Sequence, residues 1–167
     1  SVSSAGDINN DGFDDIIIGA YRADPSGASA AGESYVVFGK AAGYPATLEL
    51  SALDGTNGFV INGIDAVDLS GDSVSSAGDI NKDGFDDIII GAYRADPNGA
   101  SAAGESYVVF GKAAGYSASL DLSSLNGTNG FVINGIDAVD ESGLSVSSAG
   151  DINKDGFDDI IIGALGA

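Results

Sequence analysis

The sequence predicts an all-β protein built from four-stranded antiparallel blades, and three observations lead to that fold class. The chain of 167 residues repeats itself with a period of 72, its apolar residues form short runs between Gly, Asn and Asp, and its periodicity is not helical. Four short strands per repeat favour propeller-type blades in an incomplete propeller or an open array. A β-solenoid is the alternative fold that the same repeat allows.

The repeat is marked by the nonamer Ser1–Asn9, which recurs unchanged at 73–81 and again at 145–153. The first two copies differ at nine of their 72 positions, and most of the changes exchange one polar residue for another. The sequence therefore predicts two whole blades and the first hairpin of a third. Their boundaries are 1–72, 73–144 and 145–167.

Short apolar segments predict the strands of each repeat. In the first copy they are Ser1–Ala5, Phe13–Ala20, Glu33–Gly39 and Phe59–Ile61. Three consecutive isoleucines, Ile16 to Ile18, indicate a strand that is buried on both faces. The segment 48–53 fits either a short strand or a turn. The aromatic residues that alternate with valine are expected in the core: Tyr35, Phe38, Tyr107 and Phe110.

Composition excludes several classes of function. With 25 acidic and 6 basic side chains the formal net charge is −19, which argues against nucleic acid or an anionic membrane as a partner. The absence of Cys and His excludes disulfides, thiolate chemistry, zinc fingers and His-based catalytic triads. No apolar run is long enough to insert into a membrane. The first residue is Ser1 rather than Met, so we expect a piece of a longer chain.

An acidic loop of nine residues, Asp7–Asp15, carries the chemistry of each repeat. Oxygen-bearing side chains occupy positions one, three, five and nine, glycine occupies position six, and the main-chain carbonyl of position seven is available. Such oxygen atoms are the ligands that calcium prefers. The predicted ligands are Asp7, Asn9, Asp11, Phe13 and Asp15 in the first loop, Asp79, Asn81, Asp83, Phe85 and Asp87 in the second, and Asp151, Asn153, Asp155, Phe157 and Asp159 in the third.

Other interpretations of the loop are less favoured. An EF-hand needs a glutamate at position twelve, where this chain has Ile18, and magnesium demands stricter octahedral geometry. A solvated Asp/Asn/Gly turn would leave four carboxylates within nine residues without a cation to offset their repulsion. We therefore predict three calcium ions, one per loop. The position-eight residues Asp14, Asp86 and Asp158 are expected to face solvent or to cap a neighbour.

A resemblance to a known family rests on the run Ser1–Ala20, which reads Ser-Val-Ser-Ser-Ala-Gly-Asp-Ile-Asn-x-Asp-Gly-Phe-Asp-Asp-Ile-Ile-Ile-Gly-Ala. This run resembles the FG-GAP repeat, the blade of integrin-α-like β-propellers. The resemblance implies calcium in the hairpin between the first two strands of a blade, held by the loop residues already named. The Gly-Glu-Ser-Tyr-Val-Val-Phe-Gly stretch is similar to those of large secreted bacterial proteins, which implies a secreted or cell-surface location in a bacterium.

The function that these observations predict is a non-catalytic, extracellular, calcium-binding repeat module for adhesion or protein–protein interaction. Its partners would be flanking repeats or further copies of itself, because two and a fraction blades cannot close a propeller, and an extracellular protein or glycan would be its ligand. One alternative is a structural subunit that self-assembles into an extracellular filament through near-identical repeats. A second alternative is an ancillary domain of a secreted enzyme.

For three further features we favour a structural role or a chance match over a functional site. Arg22 and Arg94 follow tyrosines in a loop and are expected to be exposed and stacked. Glu33 and Glu105 lack a second catalytic group, so a structural role is expected rather than catalysis. The glycosylation sequon that begins at Asn126 is absent from the first repeat, which indicates a chance match.

Overall fold

Antiparallel sheets stacked in chain order form the fold, and the computed structural model describes residues 1–113 and 115–167. The first sheet contains β1 (Val2–Gly6), β2 (Asp15–Ala20), β3 (Glu33–Val37) and β4 (Gly58–Asn62). The second contains β5 (Ser73–Gly78), β6 (Asp87–Ala92), β7 (Glu105–Val109) and β9 (Gly130–Asn134). A hairpin follows, made of β10 (Ser142–Gly150) and β11 (Asp159–Ala164). The predicted all-β fold of four-stranded blades is confirmed.

Short helical turns complete the secondary structure. Residues 1–113 and 115–167 contain four 3₁₀ turns of three residues each, at Pro25–Gly27, Leu50–Ala52, Pro97–Gly99 and Leu122–Ser124. No helix in the described part of the chain is long and apolar enough to cross a membrane.

Strand boundaries follow from hydrogen bonding as well as from hydrophobicity. The second strand begins at Asp15 rather than at the predicted Phe13, because Phe13 and Asp14 still belong to the acidic loop. The third strand ends at Val37, since the Phe38 N–H already donates to a loop carbonyl, that of Asn57. A bulge between Ser4 and Gly6 ends the first strand just before the loop begins.

The segment that fits a strand or a turn does both, depending on the repeat. In the first copy it forms only the 3₁₀ turn. In the second copy residues Ser119–Asp121 form an additional strand, β8, which pairs in parallel with β4 of the first sheet. The Asn62 Nδ2 donates to Asp121 Oδ1 at 2.8 Å and reinforces this pairing. The second repeat thus adds a fifth strand to the first sheet.

The main hydrophobic core lies between the first and second sheets. Ile17 and Val36 of the first sheet are fully buried, and Ile88 and Ile90 of the second sheet belong to the same cluster. Tyr107, only 1% exposed, is the largest fully buried side chain of this core. On its other face the second sheet packs against the hairpin through a smaller cluster.

Burial of the isoleucine run on both faces holds only in the second sheet. In β6, Ile88, Ile89 and Ile90 are each at most 1% exposed. In β2 the same prediction is wrong for Ile16, which is 48% exposed, although Ile17 is fully buried. The reason is that β6 lies between two neighbouring sheets, whereas in this chain β2 has a neighbour on one face.

The joint between repeats differs in the two copies. A turn precedes β5, which begins at Ser73, whereas β10 begins at Ser142 and so includes Leu144. Leu69 is buried in the first joint, and Glu141, which replaces it in the second, is partly exposed. The exchange of apolar and acidic residues at the two joints therefore coincides with a longer strand in the third copy.

Candidate functional site

Each predicted cation-binding loop connects the first two strands of its repeat. The loop 7–15 joins β1 to β2, the loop 79–87 joins β5 to β6, and the loop 151–159 joins β10 to β11. We call them the first, second and third loops. Gly12 at position six has φ +90°, a backbone conformation that favours glycine. Side-chain bulk added there would meet nothing within 4 Å. The conformation of the loop, not lack of space, sets this residue.

The predicted ligand side chains at positions one, three and five turn inward onto the backbone of their own loop. Asp7 accepts the N–H of Asp11 at Oδ1 (3.0 Å) and the N–H of Gly12 at Oδ2 (2.9 Å). Asn9 Oδ1 accepts the same Asp11 N–H at 2.9 Å, and Asp11 Oδ1 accepts the N–H of Phe13 at 3.0 Å. The second and third loops repeat all four hydrogen bonds at 2.8–3.1 Å. The three loops therefore share one internal geometry.

The aspartate at position nine anchors the base of the loop. Asp15 is 1% exposed, and its two oxygens accept the N–H groups of Ile8 (3.1 Å) and Gly39 (2.8 Å). Burial raises the pKa of Asp15 to about 6 and that of Asp87 to about 7; the carboxylates at positions one and five act in the same direction, and the backbone N–H groups oppose them. A negative charge at this position is thus costly without further compensation.

The donor set fits a hard divalent cation. No three carboxylates within residues 1–113 and 115–167 converge as they would in a preassembled metal centre. Each carboxylate or amide oxygen at positions one, three and five that accepts one N–H retains a second lone pair for a metal. Carboxylate, amide and carbonyl oxygens in a curled loop are the ligands suited to calcium. The assignment of the fifteen ligands stays a prediction.

Contacts from the following repeat are the part of the site that sequence reasoning left open or missed. Asp86 caps the preceding loop, as one of its two predicted roles required: its Oδ2 accepts the N–H of Asp7 at 2.8 Å. Asp158 does the same for Asp79 at 3.0 Å, whereas Asp14 is exposed. No sequence pattern indicated the role of Tyr116, whose hydroxyl donates to the carbonyl of Ile8 at 2.8 Å although the two residues are 108 positions apart.

The other sequence candidates occupy structural positions. The Arg22 guanidinium lies 5.3 Å from the ring centroid of Tyr21, and Arg94 repeats this stacking on its own tyrosine at 5.6 Å. Both arginines are exposed, as expected. Glu33 accepts a hydrogen bond from the hydroxyl of Tyr35, two residues along the same strand. This contact is repeated between Tyr107 and Glu105 and supports the structural role predicted for the two glutamates.

The sequon that begins at Asn126 serves as a turn cap. Its Oδ1 accepts the N–H of Thr128 at 2.9 Å and the hydroxyl of the same residue at 2.5 Å. Asp54 makes the equivalent contacts with Thr56 in the first repeat, at 2.9 and 2.6 Å. The shared turn explains why either residue suits this position.

Comparison with known proteins gives a consistent family match. A model of the FG-GAP repeat matches residues 1–37, 70–109 and 142–167, so each acidic loop lies within a matched stretch. Integrin alpha-5 of Xenopus laevis is 30% identical over 98% of this chain, and integrin alpha-8 of Mus musculus is 31% identical over 96%. Integrin alpha-8 of Gallus gallus is 28% identical over 96%. The chain spans 14% of the length of each of these relatives.

Proposed function

The chain belongs to the FG-GAP repeat family, and on that premise we propose that it is a non-catalytic, extracellular, calcium-binding module for adhesion or protein–protein interaction. One observation carries the proposal. The same loop, with the same oxygen-bearing residues and the same internal hydrogen bonds, occurs three times, and each copy lies within a stretch matched by the family. Such regularity is expected of a repeated ligand site rather than of unrelated surface turns.

Calcium would be held by the side chains at positions one, three, five and nine and by the carbonyl at position seven. When bound, the ion supplies positive charge that offsets the repulsion among the carboxylates of the loop. The buried Asp15 and Asp87 would benefit most, because a nearby cation favours their ionised form. Three ions would change the formal net charge from −19 to −19 + 6 = −13.

The interaction role rests on the relatives and on the surface. The relatives are integrin alpha subunits by name, and an extracellular adhesion role is carried from them to this chain as part of the proposal. The stacked and exposed pairs of Arg22 and Arg94 with their tyrosines offer side chains of the type enriched at binding hot spots. The glutamates considered for catalysis are instead paired with tyrosines, which supports a non-catalytic role.

A second candidate function is self-assembly into a filament, and one observation favours it. Val2 and Ile16 on the outer face of the first sheet are 69% and 48% exposed. Their counterparts in the second sheet, Val74 and Ile88, are buried between sheets, so the outer face has the residues of an internal interface. Another repeat of this kind would fit against that face.

A bacterial source, expected from the sequence, stays a prediction.

A calcium titration followed by thermal melting tests the leading proposal. We expect Tm to rise with free calcium, because ligand that binds only the native state stabilises it by about 2.7 kcal/mol per site at one hundred times Kd. Chelator should reverse the rise. Light scattering on the same samples addresses the second candidate, which a monodisperse particle of single-chain mass would contradict.

The variant Asp11→Asn sharpens that experiment. Asparagine keeps an oxygen that can accept the Phe13 N–H but removes one ligand charge, so the calcium-free Tm should change little while one of three sites weakens. Asp24→Asn, which removes an exposed carboxylate that caps the loop after β2, serves as the matched control and should leave calcium binding unchanged. Absence of any calcium-dependent shift in the unmodified chain would contradict the metal assignment.

A further inference from the structure

The three loops are alike in their own residues but differ in what the rest of the molecule does to them. The first loop contacts the second repeat through the backbone of Asp7 and the side chain of Asn10. The N–H of Asp7 donates to Asp86 Oδ2 at 2.8 Å, and the N–H of Asp86 donates back to the carbonyl of Asp7 at 3.3 Å. The side-chain amide of Asn10 donates to the Gly84 carbonyl at 3.1 Å. The first and second loops are therefore in direct contact.

The second residue of the first loop is fixed even more firmly. The carbonyl of Ile8 accepts both the N–H of Lys112, at 2.9 Å, and the hydroxyl of Tyr116, at 2.8 Å. Ile8 is 2% exposed and belongs to the core between the two sheets. The backbone of Asp7 and Ile8, at positions one and two of this loop, is thus fixed by the following repeat.

The second loop receives fewer such contacts, and the third has no equivalent of them among the described residues. Asp79 exchanges the same pair of hydrogen bonds with Asp158, at 3.0 and 3.4 Å, and Lys82 Nζ lies 5.2 Å from the Phe157 ring. In the third loop Ile152, the counterpart of Ile8, is 73% exposed. The amount of support from outside the loop decreases from the first loop to the third.

A glycine before each supported loop makes room for the incoming carboxylate. A side chain added at Gly6 would begin 2.2 Å from Asp86 Oδ2, and one added at Gly78 would begin 2.2 Å from Asp158 Oδ2. At Gly150, before the third loop, nothing lies within 4 Å of the same position. The carboxylate at position eight therefore packs closely against the backbone of this glycine. The contact restricts the adjoining backbone, from which the first ligand side chain extends.

We propose that Asp86 and Asp158 are positioning residues that complete the cation loop of the preceding repeat, so that removing either carboxylate weakens calcium binding in the loop before it. This inference rests on the proposed function, because it takes calcium as the ligand. Its physical basis is preorganisation: a loop whose backbone is already fixed loses less conformational entropy when its side chains close on the ion.

The test compares two variants that each remove one carboxylate from position eight, Asp86→Ala and Asp14→Ala. Calcium is titrated into the full chain, and the amide resonances of Gly12, Gly84 and Gly156 report the three loops separately. We expect Asp86→Ala to raise the half-saturating calcium concentration of the first loop about tenfold, the size associated with one hydrogen bond to a charged group. The second loop, which contains Asp86, should change less than about twofold. Asp14→Ala likewise removes a charge without a positioning contact and should change each loop by less than about twofold.

Two results would overturn the inference. One is a loss of affinity in the second loop rather than the first in Asp86→Ala; the other is an unchanged affinity of the first loop in that variant. Asp86→Asn retains an oxygen acceptor and should restore the first loop, which separates the hydrogen bond from the charge and covers the case in which the alanine variant folds poorly.

Hydrogen exchange without calcium tests the positioning contact by itself. The Asp7 amide should exchange faster in Asp86→Ala than in Asp14→Ala, and equal exchange would contradict the contact. If no loop glycine responds to calcium, the proposed function fails together with the positioning role. If the glycines respond but Asp86→Ala leaves the first loop unchanged, the proposed function stands and only the positioning role fails.

Discussion

The first and second blades have nearly the same sequence and markedly different surroundings. Ile16 is 48% exposed, whereas its counterpart Ile88 is 1% exposed. Tyr44 is 57% exposed, whereas its counterpart Tyr116 stacks on Phe59 of the preceding blade with ring centroids 4.7 Å apart. The difference arises because the second blade has neighbours on both faces. In such an array the contribution of a residue to stability depends on the interface between repeats as much as on its own repeat.

The largest test of this comparison is a matched pair of core truncations. Ile88→Ala should lower the free energy of unfolding by about 3 kcal/mol, because it leaves a cavity between two packed sheets. Ile16→Ala changes the same position of the first blade and should cost less than about 1 kcal/mol, since its side chain is half exposed. Equilibrium urea unfolding measures both. Equal losses would contradict the comparison and would indicate that Ile16 is covered in solution.

A second matched pair addresses the tyrosine that links the blades. Tyr116→Ala should cost about 2 kcal/mol, because it removes the stacking on Phe59 and the hydrogen bond to Ile8, while Tyr44→Ala should cost less than about 0.5 kcal/mol. Tyr116→Phe isolates the hydroxyl and should cost about 1 kcal/mol. Chemical denaturation of the three variants supplies the values. If the two alanine variants lost the same stability, the tyrosine would not link the blades.

The smallest expected effect concerns pH and a buried acid at the joint between blades. Asp68 is 8% exposed, and burial raises its pKa from 3.8 to about 6. A raised carboxyl pKa means that the folded state binds the proton more tightly, so this group's stabilisation is present below pH 4 and is lost as the pH rises through 6.

Calcium-free protein should therefore lose about 1 kcal/mol more stability between pH 4.5 and 7.5 than the variant Asp68→Asn. The control is Asp140→Asn, at the same position of the second repeat, where the side chain is more exposed. Urea unfolding at the two pH values gives the difference. The same pH dependence in the unmodified chain and in Asp68→Asn would show that other acids account for it.

The sequence predicted those features that depend on a repeat alone. The 72-residue period, the isoleucine run and the Asn-Gly boundaries sufficed for four-stranded blades. The predicted boundaries missed by two residues at Phe13 and Val37, where hydrogen bonding to the loops rather than hydrophobicity ends the strand.

Features that depend on a neighbour were beyond sequence reasoning. Identical residues such as Ile16 and Ile88 cannot signal that one is exposed and the other buried. The pairing of β8 with β4 and the hydrogen bond from Tyr116 to Ile8 join residues 59 or more positions apart, for which a single sequence offers no pattern. The role of Asp86 was left between two possibilities for the same reason.

The pairing of the parallel strand β8 with β4 has a consequence for folding during synthesis. The edge of β4 ends at Asn62, but the strand that covers it ends only at Asp121, well within the next repeat. During synthesis from the N-terminus, the first blade therefore keeps an open edge until much of its successor has left the ribosome. A fragment cut at the repeat boundary would retain that open edge permanently, whereas one that extends through β9 to Asn134 would cover the edge of β4 and keep all four strands of the second sheet.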